Sequence, residues 1–409
     1  AAASLPSRLF DWQDAITRWA LRKGRAAIFA DCGLGKTLMQ LAWAHALDVP
    51  TLILAPLCVA EQTVAEGARL GVGVRYAVDE TEATRDGITI TNYERLEKFD
   101  TGRYQAVVLD ESSILKSFDG KTRTKLIETF RETPYRLCCT ATPSPNDISE
   151  LANHAEFLGL MTRPEFLATW FVHDDQGWRM KRHAVTAFYR WMASWAIALR
   201  TPSDLGYAQN GFNLTPLSIE EHIVPCDRID GALFPELGLK GLGGRLAARR
   251  GSLEHRVEAP QKLSQRPGQW VMWCGLNDES RALCAAIPDA AEVKGQDAYE
   301  DKVDTVRGFV GGDIRVLVTK PKILGFGMNF QQCHQMAFVG LSDSYETYYQ
   351  CIRRCWRYGQ RSSVKVSIVV SDAERAIVEN VRRKERAAST LTADLLEHVQ
   401  GFEREELTA

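Results

Sequence analysis

The sequence predicts an α/β protein of two lobes, each a parallel β-sheet covered by helices, joined through a mainly helical insertion and linker. Short apolar or β-branched runs at residues 26–30, 51–55, 88–91, 106–109 and 135–140 alternate with helix-length stretches, as expected of a sheet buried on both faces. A second series at residues 269–274, 314–319, 336–339 and 364–370 calls for a second sheet of the same kind. The 409 residues also exceed what one hydrophobic core usually covers. The expected boundaries are a first lobe over 1–158, an insertion and basic linker over 159–268, a second lobe over 269–371 and a C-terminal helix over 372–409.

Between the two series the pattern changes. Trp170, Trp178, Trp191 and Trp195 crowd a stretch that later turns rich in Gly and Pro. Phe188, Trp191, Met192 and Trp195 fall at i, i+3, i+4 and i+7, one buried face of a helix, read as core packing ahead of base stacking. The glycine- and arginine-rich element at 241–251, with Arg249 and Arg250, is a candidate phosphate contact or else a solvated surface. After Ser371 one long charged helix is expected.

Composition sets outer limits. Hydrophobic residues at 45% and charged residues at 25% match a folded globular chain and exclude a disordered one. A net charge of -2 excludes a wholly basic nucleic-acid binder but leaves room for a local basic track. The ten cysteines show no zinc spacing, and without a secretory leader they read as reduced residues of a cytoplasmic protein. The longest apolar runs are strand-length, so no membrane association is expected.

The chemistry concentrates in three places. Ala30-Asp-Cys-Gly-Leu-Gly-Lys-Thr37 follows an apolar strand and opens a helical pattern, the context of a phosphate-binding loop. Gly33, Leu34 and Gly35 would turn backbone N–H groups onto phosphates at a helix N-terminus. Lys36 would reach the β and γ phosphates of ATP, and Thr37 would ligate Mg2+. About 75 residues further on, the strand Val107-Val-Leu-Asp-Glu111 ends in two carboxylates, with Asp110 placed to hold the magnesium and Glu111 to orient the attacking water. Gln350, Arg354 and Arg357 share one face of a helix by i, i+4 and i+7 spacing, so two guanidinium groups can point together at a γ phosphate.

The order of these and other motifs resembles superfamily 2 helicases of the Swi/Snf-like group, in the compact form common in phages and prophages, over about Leu9 to Val370. Gln13 resembles the adenine-reading glutamine of the Q motif. Leu54-Ala-Pro56-Leu57 resembles motif Ia, Thr89-Ile-Thr-Asn92-Tyr93 motif Ib, and Asp110-Glu-Ser-Ser113 the DEAD or DEAH-type box. Thr140-Ala-Thr142-Pro143 is similar to motif III, whose hydroxyls couple hydrolysis to domain movement. Gly325-Phe-Gly327-Met-Asn329 is similar to motif V, and Gln350 to Gln360 to motif VI. The resemblance implies two RecA-like lobes, ATP and Mg2+ as cofactors, and a DNA-stimulated ATPase that translocates along or remodels DNA. Duplex or branched DNA is favoured and single-stranded DNA allowed. A monomer in the cytoplasm is expected, the bacterial host's cytosol if the chain is phage-encoded.

By the same resemblance Gln13, Gly327 and Gln350 join the nucleotide site, and Thr140 and Thr142 couple it to movement. Pro56, Asn92, Tyr93 and Asn329 are candidate nucleic-acid contacts. Two residues depart from the pattern. Ser113 replaces the terminal Asp or His of the commonest boxes, and with it the usual link to motif III. Arg353 stands where Gly or Asp is frequent, adding a phosphate contact or facing solvent. The competing readings are an RNA-directed helicase and a clamp that binds ATP and nucleic acid with little motor activity.

Overall fold

The computed structural model describes residues 5–6, 8–56, 59–116, 120–144, 147–174, 177–209, 211–226, 249, 251–325 and 328–408. The chain divides into two units, Ala1–Phe212 with Ala387–Ala409, and Asn213–Arg386. Each is an α/β lobe on a parallel sheet.

The first unit runs α1 (Asp11–Lys23), β1 (Arg25–Ala30), α2 (Lys36–Leu47), β2 (Thr51–Ala55), α3 (Ala60–Leu70), β3 (Val74–Tyr76), β4 (Ile88–Asn92), β5 (Ala106–Asp110), α4 (Lys121–Thr129) and β6 (Tyr135–Cys139). It continues through α5 (Leu151–Leu158), α6 (Arg163–Trp170), the antiparallel hairpin β7 (Phe171–Asp174) and β8 (Gly177–Met180), α7 (Val185–Ala193) and β9 (Ala196–Leu199). The sheet order is β3-β4-β2-β5-β6-β1-β9. Alternation along β1 explains its uninterrupted apolar sequence: Ala27 and Phe29 enter one core, while Ala26, Ile28 and Ala30 enter the other. Both faces are covered, so neither tolerates a polar side chain. The α1 helix carries Asp11 and Asp14 in its first turn, Arg22 and Lys23 in its last, and stops at Gly24 with φ 68°, each complementing the helix dipole or relieving the terminus.

The second unit runs β10 (Leu217–Val224), α8 (Leu253–Leu263), β11 (Trp270–Cys274), α9 (Asn277–Ala286), β12 (Ala290–Glu292), α10 (Tyr299–Gly311), β13 (Val316–Thr319), α11 (Pro321–Leu324), β14 (Gln335–Val339), α12 (Tyr345–Cys355) and β15 (Val364–Ser371). Its sheet order is β10-β15-β14-β11-β13-β12, again parallel.

The stretch 159–268, expected as a separate insertion, is shared between the two units. Strand β9 pairs with β1 at the margin of the first sheet, and β10 pairs with β15 over its full length at the margin of the second. Pairing backbone at a sheet edge outweighs segregation into a third body, because an uncovered edge leaves a row of unsatisfied N–H and C=O groups. Phe188, Met192 and Trp195 are buried in the core of the first unit, with Trp191 partly buried against them, so this face packs and does not present itself for stacking.

The last helix, α13 (Arg375–Thr408), begins in the second unit and ends in the first. Leu395, Leu396 and Val399 join the first unit's core. Glu403 is fully buried there. One of its carboxylate oxygens accepts the Ala198 N–H at 2.7 Å, and the other has no partner among the described residues. Burial pushes this carboxyl up to about 8, opposed by the Ala198 N–H and assisted by Asp204. A folded-state value above the unfolded one, about 4.3, means stability present at low pH and lost as pH rises through 8. Glu403→Gln, which keeps an acceptor for Ala198, is expected to raise Tm at pH 8.5 more than at pH 5; thermal melts at the two pH values check this.

Candidate active site

Parallel strands deliver their C-terminal ends to one edge, and in the order β5-β6-β1 three of them stand side by side. Their following residues are Glu111, Thr140 and the loop 31–35. The loop turns through Gly33 (φ 87°) and Gly35 (φ 71°), a left-handed conformation for which glycine is the ordinary solution. A Cβ on Gly35 would lie 2.5 Å from the Gln13 amide nitrogen, so a side chain there would displace that amide as well as strain the backbone. Lys36 opens α2, its ammonium donating to the Ala30 carbonyl at 2.9 Å and the Asp31 carbonyl at 3.4 Å. Thr37 is the next residue of that first turn.

Asp110 is 6% exposed and accepts from the Gln40 amide at 2.6 Å. Burial pushes its carboxyl up, opposed by that hydrogen bond and by the Lys36 charge. Glu111 has φ 53°, which in a residue with a Cβ costs on the order of 1–2 kcal/mol and persists only where surroundings over-determine it. The Thr140 hydroxyl donates to the Glu111 carboxylate at 3.4 Å and accepts the Thr142 N–H at 3.1 Å. The Thr142 hydroxyl is buried with no partner among the described residues. Cys138 and Cys139, beneath this edge, are buried thiols whose pKa values burial raises, so they act as inert packing.

Several residues singled out from sequence turn inward. Gln13 is 1% exposed, its amide donating to the Leu34 carbonyl at 3.0 Å and accepting the Phe10 N–H at 3.1 Å. It staples the phosphate loop to the N-terminal segment. A cavity of ≈ 230 Å³ lined by Leu9, Phe10, Asp11, Trp12, Tyr207 and Ala208 lies beside it. Asn92 is fully buried, accepting from the Tyr76 hydroxyl and donating to the Pro56 carbonyl at 3.3 Å. It fixes Pro56 in place and has no surface to offer a phosphate. The Tyr93 hydroxyl donates to the Asp110 carbonyl at 2.7 Å, so this side chain braces the carboxylate strand.

In the second unit Gln350 and Arg354 lie one turn apart on α12. The guanidinium donates to the Gln350 side-chain oxygen at 2.7 Å, the Gln350 carbonyl at 2.9 Å and the Met328 carbonyl at 3.1 Å. The expected shared face stops there. The helix ends at Cys355, the Trp356 indole N–H bonding the Thr215 carbonyl at 2.7 Å, and Arg357 falls in the turn that leads to Gly359 at φ 90°. Arg353 is 2% exposed, its guanidinium over the rings of Trp356 and Tyr349, so it packs within the unit. Asn329 is partly buried, its amide donating to the Gln331 side chain at 3.4 Å and its oxygen accepting the Gln331 N–H at 3.2 Å. Arg249 pairs with Glu374 at 2.7 Å and also donates to the Leu341 carbonyl, its side chain 14% exposed. Glu374 and Glu279 also flank the buried Arg256. These carboxylates hold Arg249 as part of an internal ion cluster, which corrects its reading as a phosphate contact. Arg250 and Gly327 lie outside the described residues.

Residues 11–174 match the SNF2-related domain, and residues 261–359 match the helicase conserved C-terminal domain. The chain belongs to superfamily 2, in its Swi/Snf-like group. A comparison with curated proteins found no match. Among solved structures the Swi/Snf-like chain is similar to the Sulfolobus solfataricus SWI2/SNF2 ATPase core in complex with dsDNA. The identity is 17% and the TM-score 0.46, over 91% of this chain and 89% of that one.

The first unit of this Swi/Snf-like chain has what a magnesium nucleoside triphosphate requires: a loop rich in backbone donors, an ammonium within its curve, and a desolvated carboxylate with a hydroxyl residue nearby. Sequence reading missed Gln40, which orients Asp110, and His154, whose ring meets Ser112. A glutamine one turn into the helix after the phosphate loop was the only available signal for the first. Among the described residues no His, Cys, Asp and Glu group forms a metal site, and no helix is long and apolar enough to cross a membrane.

Proposed function

We propose that the chain is an ATP-dependent DNA translocase with helicase capacity, coupling ATP hydrolysis to movement along, or remodelling of, DNA. The observation that carries this reading is the Glu111–Thr140 contact beside Lys36 and Asp110. The contact supports a coupling in which a carboxylate that orients water also touches the loop expected to report hydrolysis. Loop N–H groups and Lys36 bind the phosphates of ATP, and Glu111 orients and polarises the attacking water. A magnesium ion held by Thr37 and Asp110 would neutralise the phosphates. Arg354 and Arg357 supply positive charge to the γ phosphate from the second unit, with Gln350 fixing the Arg354 fork.

Hydrolysis changes the protein's hold on nucleic acid, and a bound strand is advanced in steps. The grip is to backbone phosphates, hence tolerant of sequence and weakened by salt. Displacement of a third strand from a triplex on duplex DNA tests the proposal. Wild type is expected to displace it only with ATP, and Lys36→Ala not at all. ATP turnover with no displacement from any duplex would reject movement, and preferential action on RNA would replace the track.

A further inference from the structure

We infer that His154 is a positioning residue for hydrolysis, holding Ser112 and through it the carboxylate of Glu111. The inference deepens the proposed ATPase reading and rests on it. Glu111 occupies a left-handed backbone conformation, which must be held from both sides if its carboxylate is to stay aimed. On one side β5 does this, Asp110 pairing with Cys139 in the sheet. On the other side the next residue, Ser112, is fully buried, and its hydroxyl lies 3.1 Å from His154 Nε2.

His154 sits on α5, the helix that follows the loop bearing Thr140 and Thr142. Asn153, its neighbour, donates to the Lys116 carbonyl at 3.4 Å, at the far end of the same turn that Ser112 opens. The two loops are thus tied twice: at the front by Thr140 on Glu111, and at the back by α5 on residues 112 and 116. The tie at the back runs from Ser112, the residue after Glu111, to the imidazole of α5.

The chemistry of the ring favours this role over packing. His154 is fully buried, its plane set edge-on against Phe29 at 5.3 Å and 80°. Burial pulls its pKa down to about 3, opposed by a hydrogen bond to the Ser112 backbone, so the ring is neutral and works as a hydrogen-bonding strut. Its Nδ1 has no partner among the described residues. An unsatisfied buried nitrogen is unfavourable, and a leucine of similar bulk would avoid it. What the imidazole adds over leucine is the Nε2 contact with Ser112.

The test uses the full chain and measures kcat and KM for ATP together with the affinity for a fluorescent nucleotide. His154→Leu and Ser112→Ala are each expected to lower kcat on the order of tenfold. KM and nucleotide affinity should stay within about twofold, because the phosphate loop is untouched. The double variant should be little slower than His154→Leu alone, since that variant already removes the ring's contacts with Ser112. His154→Gln, whose amide can reach Ser112, should recover part of the loss. Unchanged kcat in both single variants, or losses that multiply in the double variant, would overturn the assignment. Should His154→Leu fail to fold, Ser112→Ala and His154→Gln carry the same comparison. A wild-type chain without ATPase activity overturns the underlying reading, whereas an active wild type with silent variants overturns this inference alone.

Discussion

Replacing Arg354, or Arg357 in the turn after α12, with alanine is expected to lower kcat for ATP hydrolysis by roughly 10³ to 10⁵, the range over which a guanidinium stabilises a transferring phosphoryl group. Nucleotide affinity changes far less, because the loop and Lys36 in the other unit remain intact. The Arg354 guanidinium is held in a defined plane by the Gln350 side chain and the Gln350 and Met328 carbonyls, and a lysine concentrates its three donors on one nitrogen and offers no planar fork. Arg354→Lys is therefore expected to rescue little. Single-turnover hydrolysis at saturating ATP separates this loss of transition-state charge from loss of binding. Wild-type rates in both alanine variants would remove the second unit from the chemistry.

The second large effect lies in the first unit. Glu111→Gln keeps the shape and the Thr140 contact but removes the charge that polarises water, and kcat is expected to fall by about 10² to 10⁴. ATP still binds, since Lys36, Thr37 and Asp110 are unchanged, so equilibrium nucleotide binding stays near wild type while turnover stops. Lys36→Ala behaves differently: its ammonium lies within the loop's curve, against the Ala30 carbonyl, and its removal costs both affinity and turnover. A Glu111→Gln variant that turns over at the wild-type rate would reassign the water-orienting role.

The parts of this machinery that were legible in the sequence are those whose chemistry is local. The phosphate loop needs glycines, a lysine and a threonine in consecutive positions between a strand and a helix, and residues 30–37 provide them. The two carboxylates end an apolar strand for the same reason. What sequence could not supply was the direction in which a side chain turns. The expectation for Asn92 and Gln13 is a side chain turned to a ligand, yet partners at Pro56, Tyr76, Leu34 and Phe10 claim their amides.

Arg249 looked like part of a solvated basic element until Glu374, 125 residues away, neutralised it. The end of α12 at Cys355 was equally invisible: the next residue, Trp356, bonds through its indole to Thr215, 141 residues away. Likewise, no periodicity announces that β9 and β10 complete two different sheets. His154 carried a faint signal, an imidazole in the otherwise apolar run Leu151 to Leu158, but its partner lies 42 residues upstream.

An ATPase that moves on DNA must respond to DNA, so the decisive measurement is the steady-state ATPase rate with and without duplex DNA. The rate is expected to rise at least about tenfold on saturation with duplex, and the half-saturating DNA concentration to climb steeply between roughly 50 and 200 mM salt, as backbone-phosphate binding requires. A rate that is the same with duplex DNA, single-stranded DNA, RNA or no nucleic acid would contradict it.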